Sequence, residues 1–251
     1  MANKSEEIRV MSVSFSGIDG AGKSTQIDAL RAFLDQSGLE VRVIAFWDEI
    51  ATLKRFREGA SHRIFKSEPG VGTADAPVNR RDKNIRSGFM TCVRLLLYLF
   101  DALSLLHMMR CVHHADADVI IFDRFTYDEL ANLNLNNPAI RLYTRFIMTL
   151  VPRPDLSILL DAEPGQARVR KPEYPVEFLI INRAAYLQLS QLIPGITVVA
   201  PMPAEDVARE IKTRIRAPLL ASRNLENLEW FDRLDGRSEE ALEHKPHPAM
   251  P

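Results

Sequence analysis

The sequence has few of the features that are typical of secreted proteins or of small domains stabilised by a metal ion. Cysteine occurs only twice in 251 residues, at Cys92 and Cys111, with no Cys-x-x-Cys spacing. This scarcity argues against a disulfide scaffold, and we expect two buried, reduced thiols in a cytoplasmic protein. The first ten residues, MANKSEEIRV, carry charges but no apolar run, so no signal peptide is predicted.

The chain also lacks an excess of charge of either sign. Its 32 basic and 33 acidic residues leave a net charge of −1, which argues against a nucleic-acid polymer or an anionic membrane surface as partner. Hydrophobic residues make up 46% of the chain, enough for a sizeable core. One apolar run, residues 89–109, has the length of a membrane span, but Arg94 and Asp101 interrupt it. We therefore predict a core helix of a soluble domain and no membrane association.

Short apolar segments alternate with longer segments of helical periodicity. The predicted strands lie in RVMSVSFSG, EVRVIAFW, DVIIFDR, DLSILLDAEP and ITVVA. The predicted helices lie in KSTQIDALRAFLDQSG, residues 91–113, NPAIRLYTRFIMTLV, VEFLIINRAAYLQLSQL and PAEDVAREIKTRI. This alternation predicts one α/β domain, residues 1–217, whose parallel sheet is covered by helices on both faces. Residues 48–88 show no clear pattern, and the polar, proline-rich residues 218–251 predict a partly disordered C-terminal tail.

The stretch FSGIDGAGKST lies between the first predicted strand and the first predicted helix. Residues 17–24 fit G-x-x-x-x-G-K-[ST], in which glycines let backbone N–H groups wrap a phosphate and the helix adds its positive end. Lys23 then reaches the β- and γ-phosphates, and the Ser24 hydroxyl can bind Mg²⁺. We expect ATP with Mg²⁺, bound by Gly17, Asp19, Gly20, Ala21, Gly22, Lys23, Ser24 and Thr25. The alternative is a chance match in a glycine turn, which the flanking strand and helix argue against.

The third predicted strand ends in a charged pair, Asp123 and Arg124. The carboxyl ends of strands in open α/β sheets face the ligand crevice. Asp123 is therefore a candidate to hold Mg²⁺ together with Ser24, directly or through water, and Arg124 is a candidate to grip a phosphate. A structural ion pair at the end of a strand is the alternative.

Three segments in this order, FSGIDGAGKSTQ, VIIFDRF and PDLSILLDAEPGQA, resemble thymidylate kinases and related nucleoside monophosphate kinases over residues 9–216. The resemblance implies a three-layer fold with a five-stranded parallel sheet in the order 2-3-1-4-5, flanking helices and a small lid. It implies ATP- and Mg²⁺-dependent phosphoryl transfer to a small phosphorylated acceptor, with dTMP the first expectation. It also implies that Asp19 contacts the acceptor sugar, that Arg124 contacts the acceptor phosphate, and that a homodimer can form through the helix at residues 91–113.

The resemblance puts the lid directly after LLDAEP, in GQARVRKPEYPVE. Arg168, Arg170 and Lys171 lie close together there, on a loop or a short helix. Because the phosphate loop carries Gly20 and Ala21 instead of an arginine, the lid is the expected source of a cation for the transferring phosphoryl group. Arg168 and Arg170 are therefore expected to be catalytic, beside Lys23, Asp123 and Arg124. The alternative is a solvated basic loop.

The acceptor half of the chain departs from the family pattern. FWDEIATLKRFREG stands where the family has Arg-Glu-Pro-Gly-Gly, and the long helix reads Phe-Asp-Ala at residues 100–102 where the family often has an arginine. After the Asp-Arg pair, the family's serine and Tyr-Gln pair are replaced by Asp128-Glu129 and by Asn132-Leu133. The acceptor residues are therefore not those that bind thymidine monophosphate in the family.

On the long helix, Arg94, Tyr98 and Asp101 share one face and are either a structural ion pair or part of an acceptor pocket. Two alternatives to the main interpretation stay open at this point. One is a kinase for another acceptor, such as a nucleoside, a sugar or a polyphosphate-like substrate. The other is a nucleotide-binding regulatory protein with little turnover.

Overall fold

Five short apolar segments form one parallel sheet in the computed structural model, which describes residues 9–50, 88–112 and 117–223. The strands are Met11–Ser16, Val41–Ala45, Val119–Asp123, Leu156–Leu160 and Ile196–Val199, here β1 to β5. Their order is β2-β3-β1-β4-β5, so the predicted topology is confirmed. Because every strand runs in the same direction, all five carboxyl ends meet at one edge of the sheet.

Seven α-helices connect or flank these strands in the described part of the chain. They are Lys23–Gln36, Gly88–Val112, Thr126–Leu130, Pro138–Leu150, Pro164–Arg170, Val176–Leu192 and Ala204–Arg223, here α1 to α7. The start of α4 follows a simple capping rule, since the Asn137 side chain accepts from the Ala139 N–H and Pro138 needs no partner at the first helical position.

The sheet separates two apolar cores. Met11, Val13 and Phe15 of β1 pack on the side of α1 and α7, whereas α2, α4 and α6 cover the opposite face. The alternate residues of β1 are serines 12, 14 and 16, which share the face toward α2, α4 and α6. Strand β1 is therefore apolar on one face only, although it lies in the middle of the sheet.

The segment EVRVIAFW is a strand only in part. β2 ends at Ala45, and Phe46–Ile50 forms a π-helical turn. Phe46 and Ile50 are both almost fully buried in the core beneath α2.

Helix α2 contains the apolar run that the sequence made conspicuous. By length and composition, Thr91–Arg110 could cross a membrane, a test that core helices of soluble proteins also pass. Asp101 and Leu105 are fully buried in the core, whereas other apolar side chains of α2 are exposed: Leu96, Phe100 and Leu103. Cys92 is exposed, so the expectation of a buried thiol is wrong there, because this residue lies on the face of α2 turned away from the core. The side chain of Cys111 lies outside the described residues.

Helix α7 continues past the domain boundary that the sequence suggested. Its apolar stripe at Ile211, Ile215 and Leu219 stays buried, so the helix runs to Arg223 with Pro218 inside it. Residues 51–87 and 224–251 lie outside the described residues, and the predictions for the central segment and for the tail stay predictions.

Candidate active site

The loop between β1 and α1 is pressed between the end of β4 and helix α5. A Cβ added to Gly17 would lie 2.5 Å from the carbonyl oxygen of Leu160, and a Cβ added to Gly20 would lie 2.2 Å from that of Ala167. Gly20 also has a φ of +83°, a conformation that side chains disfavour. Glycine is therefore required at both positions, by close backbone contact and not only by the shape of a phosphate cradle.

Lys23 opens α1 and folds back over the loop. Its Nζ donates to the carbonyl oxygens of Gly17 (2.8 Å) and Ile18 (2.9 Å), and only 7% of the residue is exposed. Burial, and then the nearby charge of Arg124, lower the pKa of Lys23 to about 8, against the opposite pull of the neighbouring carboxylates. Lys23 therefore still carries its positive charge at neutral pH. Ser24 and Thr25 are exposed in the first turn of the helix, next to the loop.

The ends of β1 and β3 bring the loop beside the Asp-Arg pair. Asp123 pairs with Phe15 in the sheet register, and the N–H of Arg124 donates to the Phe15 carbonyl at 3.0 Å. Arg124 has a φ of 71°, a left-handed conformation that is strained for a residue with a side chain and that tends to occur at functional sites. Its Nη2 donates to Asp19 Oδ1 at 2.5 Å, so two residues singled out from distant segments are in contact.

A buried carboxylate that the sequence analysis did not select lies at the centre of the site. Asp128 accepts hydrogen bonds from Ser16 Oγ (2.6 Å) and the Phe125 N–H (3.1 Å), and also from Arg124 Nη1 (3.1 Å) and Tyr186 Oη (2.7 Å). Although burial lowers it, Asp128 and then Asp19 raise the pKa of Arg124 above its ordinary value, so the guanidinium stays charged. Burial, and next Asp128, raise the pKa of Tyr186 well above its ordinary value, so its hydroxyl remains a donor.

Sequence reasoning noted Asp128 only as a departure from the family pattern and missed Ser16 and Tyr186. The only local signal was the spacing of four residues between Arg124 and Asp128, the distance of one helical turn. Tyr186 lies 58 residues from Asp128 in the sequence, so no local pattern marked it.

Helix α5 lies in the predicted lid segment, and it contacts the loop between β1 and α1. Its entrance is held by Arg183 of α6, whose Nε and Nη2 bind both carboxylate oxygens of Asp161 at 2.7 and 2.8 Å. Nη1 of Arg183 also donates to Glu163 Oε1 at 2.8 Å, at the residue that precedes α5. The two acids of the LLDAEP segment therefore share one arginine, which fixes the start of the lid.

The basic residues of the lid point to different places. Arg170 is exposed, and its Nη1 lies 3.8 Å from where a Cβ of Gly22 would be, so it reaches the phosphate loop. Lys171 Nζ lies 4.0 Å from Asp19 Oδ1 and 3.3 Å from Glu173 Oε1. The guanidinium of Arg168 instead donates to the Tyr174 carbonyl at 2.5 Å. The sequence grouped these three cations, and the structure separates them by partner: Arg170 and Lys171 approach loop residues, whereas Arg168 is bonded to the Tyr174 carbonyl.

The charged face of α2 is buried beside two other helices. Tyr98 and Asp101 are buried, and the Tyr143 hydroxyl of α4 donates to the Leu95 carbonyl at 2.6 Å. Burial, then the charges of Glu129 and Asp101, raise the pKa of Tyr143. The structural ion pair and the acceptor pocket both stay predictions for this face of α2.

The residues near the loop fit a nucleotide-bound Mg²⁺ better than a metal held by protein alone. Within residues 9–50, 88–112 and 117–223, no group of three or more His, Cys, Asp and Glu side chains could hold a metal ion. Mg²⁺ commonly takes only one or two protein oxygens and completes its shell with phosphate oxygens and water. The exposed Ser24 hydroxyl and the Asp123 carboxylate at the end of β3 are oxygens of that kind.

Sequence comparison finds relatives named as thymidylate kinases or probable thymidylate kinases, two of which are matched over nearly their whole length. A probable thymidylate kinase of Methanosphaera stadtmanae is 27% identical over 213 residues, which is 82% of this chain and 97% of the relative. A probable thymidylate kinase of Archaeoglobus fulgidus is 23% identical over 85% of this chain and 99% of the relative. A thymidylate kinase of Prosthecochloris aestuarii is 30% identical over 64% of each chain. No protein-family model matches the chain.

The fold and these relatives agree with each other. The strand order, the loop between β1 and α1, and the charged pair at the end of β3 belong to one architecture, and the similarity to the archaeal relatives extends over more than four-fifths of the chain. The chain is therefore similar to thymidylate kinases over most of its length, and the predicted thymidylate kinase-like resemblance is confirmed.

Proposed function

We propose that this protein transfers the γ-phosphoryl group of ATP, with Mg²⁺, to a small phosphorylated acceptor, and that dTMP is the first acceptor to test. The observation that carries the proposal is the backbone contact between the phosphate loop and the lid, in which Gly20 meets Ala167 with no room for a Cβ. A lid seated on a phosphate loop can close over a triphosphate and exclude water from the transfer. The names of the relatives supply the acceptor.

The donor site needs little beyond the loop itself. Backbone N–H groups of the loop and the first turn of α1 surround the phosphates, and Lys23 turns from the Gly17 and Ile18 carbonyls to the β- and γ-phosphate oxygens. Ser24 and Asp123 are the residues that hold Mg²⁺ in this proposal. The metal ion, when bound, draws charge from the phosphate oxygens.

Positive charge for the transferring group comes from the lid. Arg170 is the first candidate because it reaches Gly22, and Lys171 is the second because it lies near Asp19. Arg168 is weaker than the sequence suggested, since its guanidinium is engaged by the Tyr174 carbonyl. A cation that meets the phosphoryl group only when the lid is closed stabilises the transition state more than the bound ATP.

Asp19 and Arg124 form the acceptor side of the proposed site. They are already in contact across the crevice, so an acceptor that binds there meets one cation and one carboxylate together. A phosphate oxygen suits the guanidinium and a sugar hydroxyl suits the carboxylate, which is the pairing that a nucleoside monophosphate presents.

A second candidate is a kinase for an uncharged acceptor, such as a nucleoside or a sugar. One observation favours it: Arg124 lies between two carboxylates, those of Asp19 and Asp128, so its charge is already more than balanced. A phosphate dianion gains less from such an arginine than from an arginine with one acidic neighbour. The binding of an uncharged acceptor through its hydroxyl groups would depend less on the net charge around Arg124.

The proposal also covers the compartment and the oligomeric state of the protein. The protein acts in the cytoplasm on ATP and its acceptor, without a nucleic-acid polymer or a membrane. A homodimer through α2 would cover Leu96, Phe100 and Leu103, which are exposed in the described part of the chain. Light scattering during size-exclusion chromatography measures that state directly.

The test of the proposed function is a kinase assay over a panel of acceptors, with Lys23→Ala as the matched variant. We expect dTMP to be phosphorylated and Lys23→Ala to lose at least about 10²-fold in turnover, because the charge on the β/γ-phosphates is removed. Phosphorylation of a nucleoside or a sugar but not dTMP would favour the second candidate. ATP binding with no turnover on any acceptor would contradict both.

A further inference from the structure

The carboxylate of Asp128 is the most completely engaged polar group of the site. It accepts four hydrogen bonds, two at each oxygen, from Ser16, Phe125, Arg124 and Tyr186. A carboxylate offers about four lone-pair positions, so its capacity is filled. The residue is 3% exposed, and bonds to a charged acceptor in such a setting are among the stronger ones in proteins.

These four donors come from three separate parts of the fold. Ser16 is the last residue of β1, directly before the phosphate loop, while Arg124 and Phe125 form the turn after β3. Tyr186 lies in α6, the helix whose Arg183 holds the entrance of the lid. Asp128 thus joins the strand that leads into the loop, the Asp-Arg turn and the helix behind the lid.

The two acidic partners of Arg124 differ in how firmly they are held. The side chain of Asp128 is 1% exposed and has four donors, whereas that of Asp19 is 13% exposed, in the loop that surrounds a ligand. An incoming acceptor can therefore displace or share Asp19, but it cannot reach Asp128. The strained backbone of Arg124, with φ at 71°, is consistent with a side chain whose direction is imposed by its neighbours.

We infer that Asp128 is a positioning residue that fixes the guanidinium of Arg124 toward the acceptor and ties it to the phosphate loop and to α6. The inference rests on the proposed function for its kinetic consequence, since Arg124 is assigned there to the acceptor. Asp128 does not touch the substrate, and its effect passes through Arg124 and Tyr186. Its loss acts on the acceptor side of the reaction more than on ATP.

Asp128→Asn keeps the shape of the side chain and removes its charge, so it is the first variant. The matched control is Asp155→Asn, because Asp155 also accepts from a β1 serine and an arginine, but at the opposite edge of the sheet. We expect Asp128→Asn to raise KM for dTMP about 10-fold or more, as for the loss of a charge-assisted hydrogen bond, with ATP affinity within about 2-fold. Asp155→Asn should leave both values unchanged.

A second readout needs no acceptor. An arginine-specific dicarbonyl reagent, followed by peptide mapping, measures how accessible the Arg124 guanidinium is in the free protein. We expect its modification rate to rise severalfold in Asp128→Asn and to stay unchanged in Asp155→Asn. If the parent protein does not phosphorylate dTMP, the proposed function fails, and this rate alone then decides the inference.

A lower melting temperature in Asp128→Asn with unchanged KM for dTMP and unchanged Arg124 reactivity would mean a structural role only, and it would overturn the inference. If Asp128→Asn does not fold, Tyr186→Phe serves instead, since it removes one donor to Asp128 and keeps the ring. It should raise the reactivity of Arg124 by a smaller factor than Asp128→Asn would, and an unchanged rate in this variant contradicts the inference as well.

Discussion

Strand β1 carries the same kind of contact at its two ends, and only one of them belongs to the site. At the carboxyl end, Ser16 donates to Asp128, which also binds Arg124. At the amino end, the N–H and hydroxyl of Ser12 donate to Asp155 at 2.8 and 3.0 Å, and Asp155 also pairs with an arginine, Arg9.

The two contacts differ in burial and in connections. The side chain of Arg9 is 59% exposed, whereas that of Arg124 is 22% exposed and touches a second carboxylate, that of Asp19. An exposed pair contributes about 0–1 kcal/mol to stability, so the amino-end contact can only hold the edge of the sheet. At the carboxyl end, Arg124 has a left-handed backbone conformation, and the phosphate loop and the lid lie close by. A contact that only held the edge of the sheet would need none of these features. Similar chemistry thus has different consequences at the two ends of one strand.

The largest effect is expected from Gly20→Ala, which disrupts the contact between the lid and the loop at the carboxyl end of β1. The new Cβ would lie 2.2 Å from the Ala167 carbonyl oxygen, so loop and lid must separate. We expect turnover to fall at least about 10²-fold and ATP affinity to fall with it, because misplacement of about 1 Å can have that effect. Gly165→Ala is the control, since nothing lies within 4 Å of its Cβ. Equal turnover in both variants would contradict a working contact between lid and loop.

Arg170→Ala tests which lid cation serves the phosphoryl group. We expect kcat to fall about 10²-fold with a much smaller change in ATP affinity, because the cation acts when the lid is closed. Arg168→Ala is the matched control in the same helix and should lose less, since its guanidinium is bonded to the Tyr174 carbonyl. Steady-state kinetics and calorimetric ATP titration separate the two variants. A larger loss in Arg168→Ala would reverse this ranking.

Strand β3 also has an aspartate at each end, and comparing the two tests the proposed metal site. Asp123 ends the strand beside the loop, and Asp118 precedes it at the other edge, where it accepts from the Glu40 N–H at 2.8 Å. Asp123→Asn should raise the Mg²⁺ concentration needed for half-maximal rate about 10-fold, and Asp118→Asn should not change it. An identical Mg²⁺ profile in both variants would leave Asp123 as a structural acid.

The smallest effect on activity is expected at the amino end of β1. Asp155→Asn should lower the free energy of unfolding by about 1 kcal/mol through weakened bonds to Ser12, with kcat and both KM values unchanged. Urea denaturation and steady-state kinetics measure the two quantities. A loss of turnover in this variant would show that the two ends of β1 are not independent.

The sequence predicted the fold well because the fold depends on local patterns. Strand and helix periodicities, and the glycines and lysine of the loop, are visible within short windows, whereas the strand order came from the resemblance. The hydrogen bonds to Asp128 could not be predicted from local patterns, since their donors Ser16 and Tyr186 lie 112 and 58 residues from it. The lid posed a similar problem. The segment was identified, but only the fold separates Arg170 from Arg168.

The alternation of β1 also has a consequence for how this protein is stabilised. Ser14 lies midway between the two anchoring serines on the same face of the strand, and it is fully buried. Its hydroxyl has no hydrogen-bond partner within the part of the chain that the structure describes. A buried hydroxyl without a partner lowers stability, so alanine at this position would be expected to strengthen the fold without altering either end of the strand. Replacement of Ser14 by alanine is therefore a stabilising substitution that directed evolution could use first, without any change to the residues of the site.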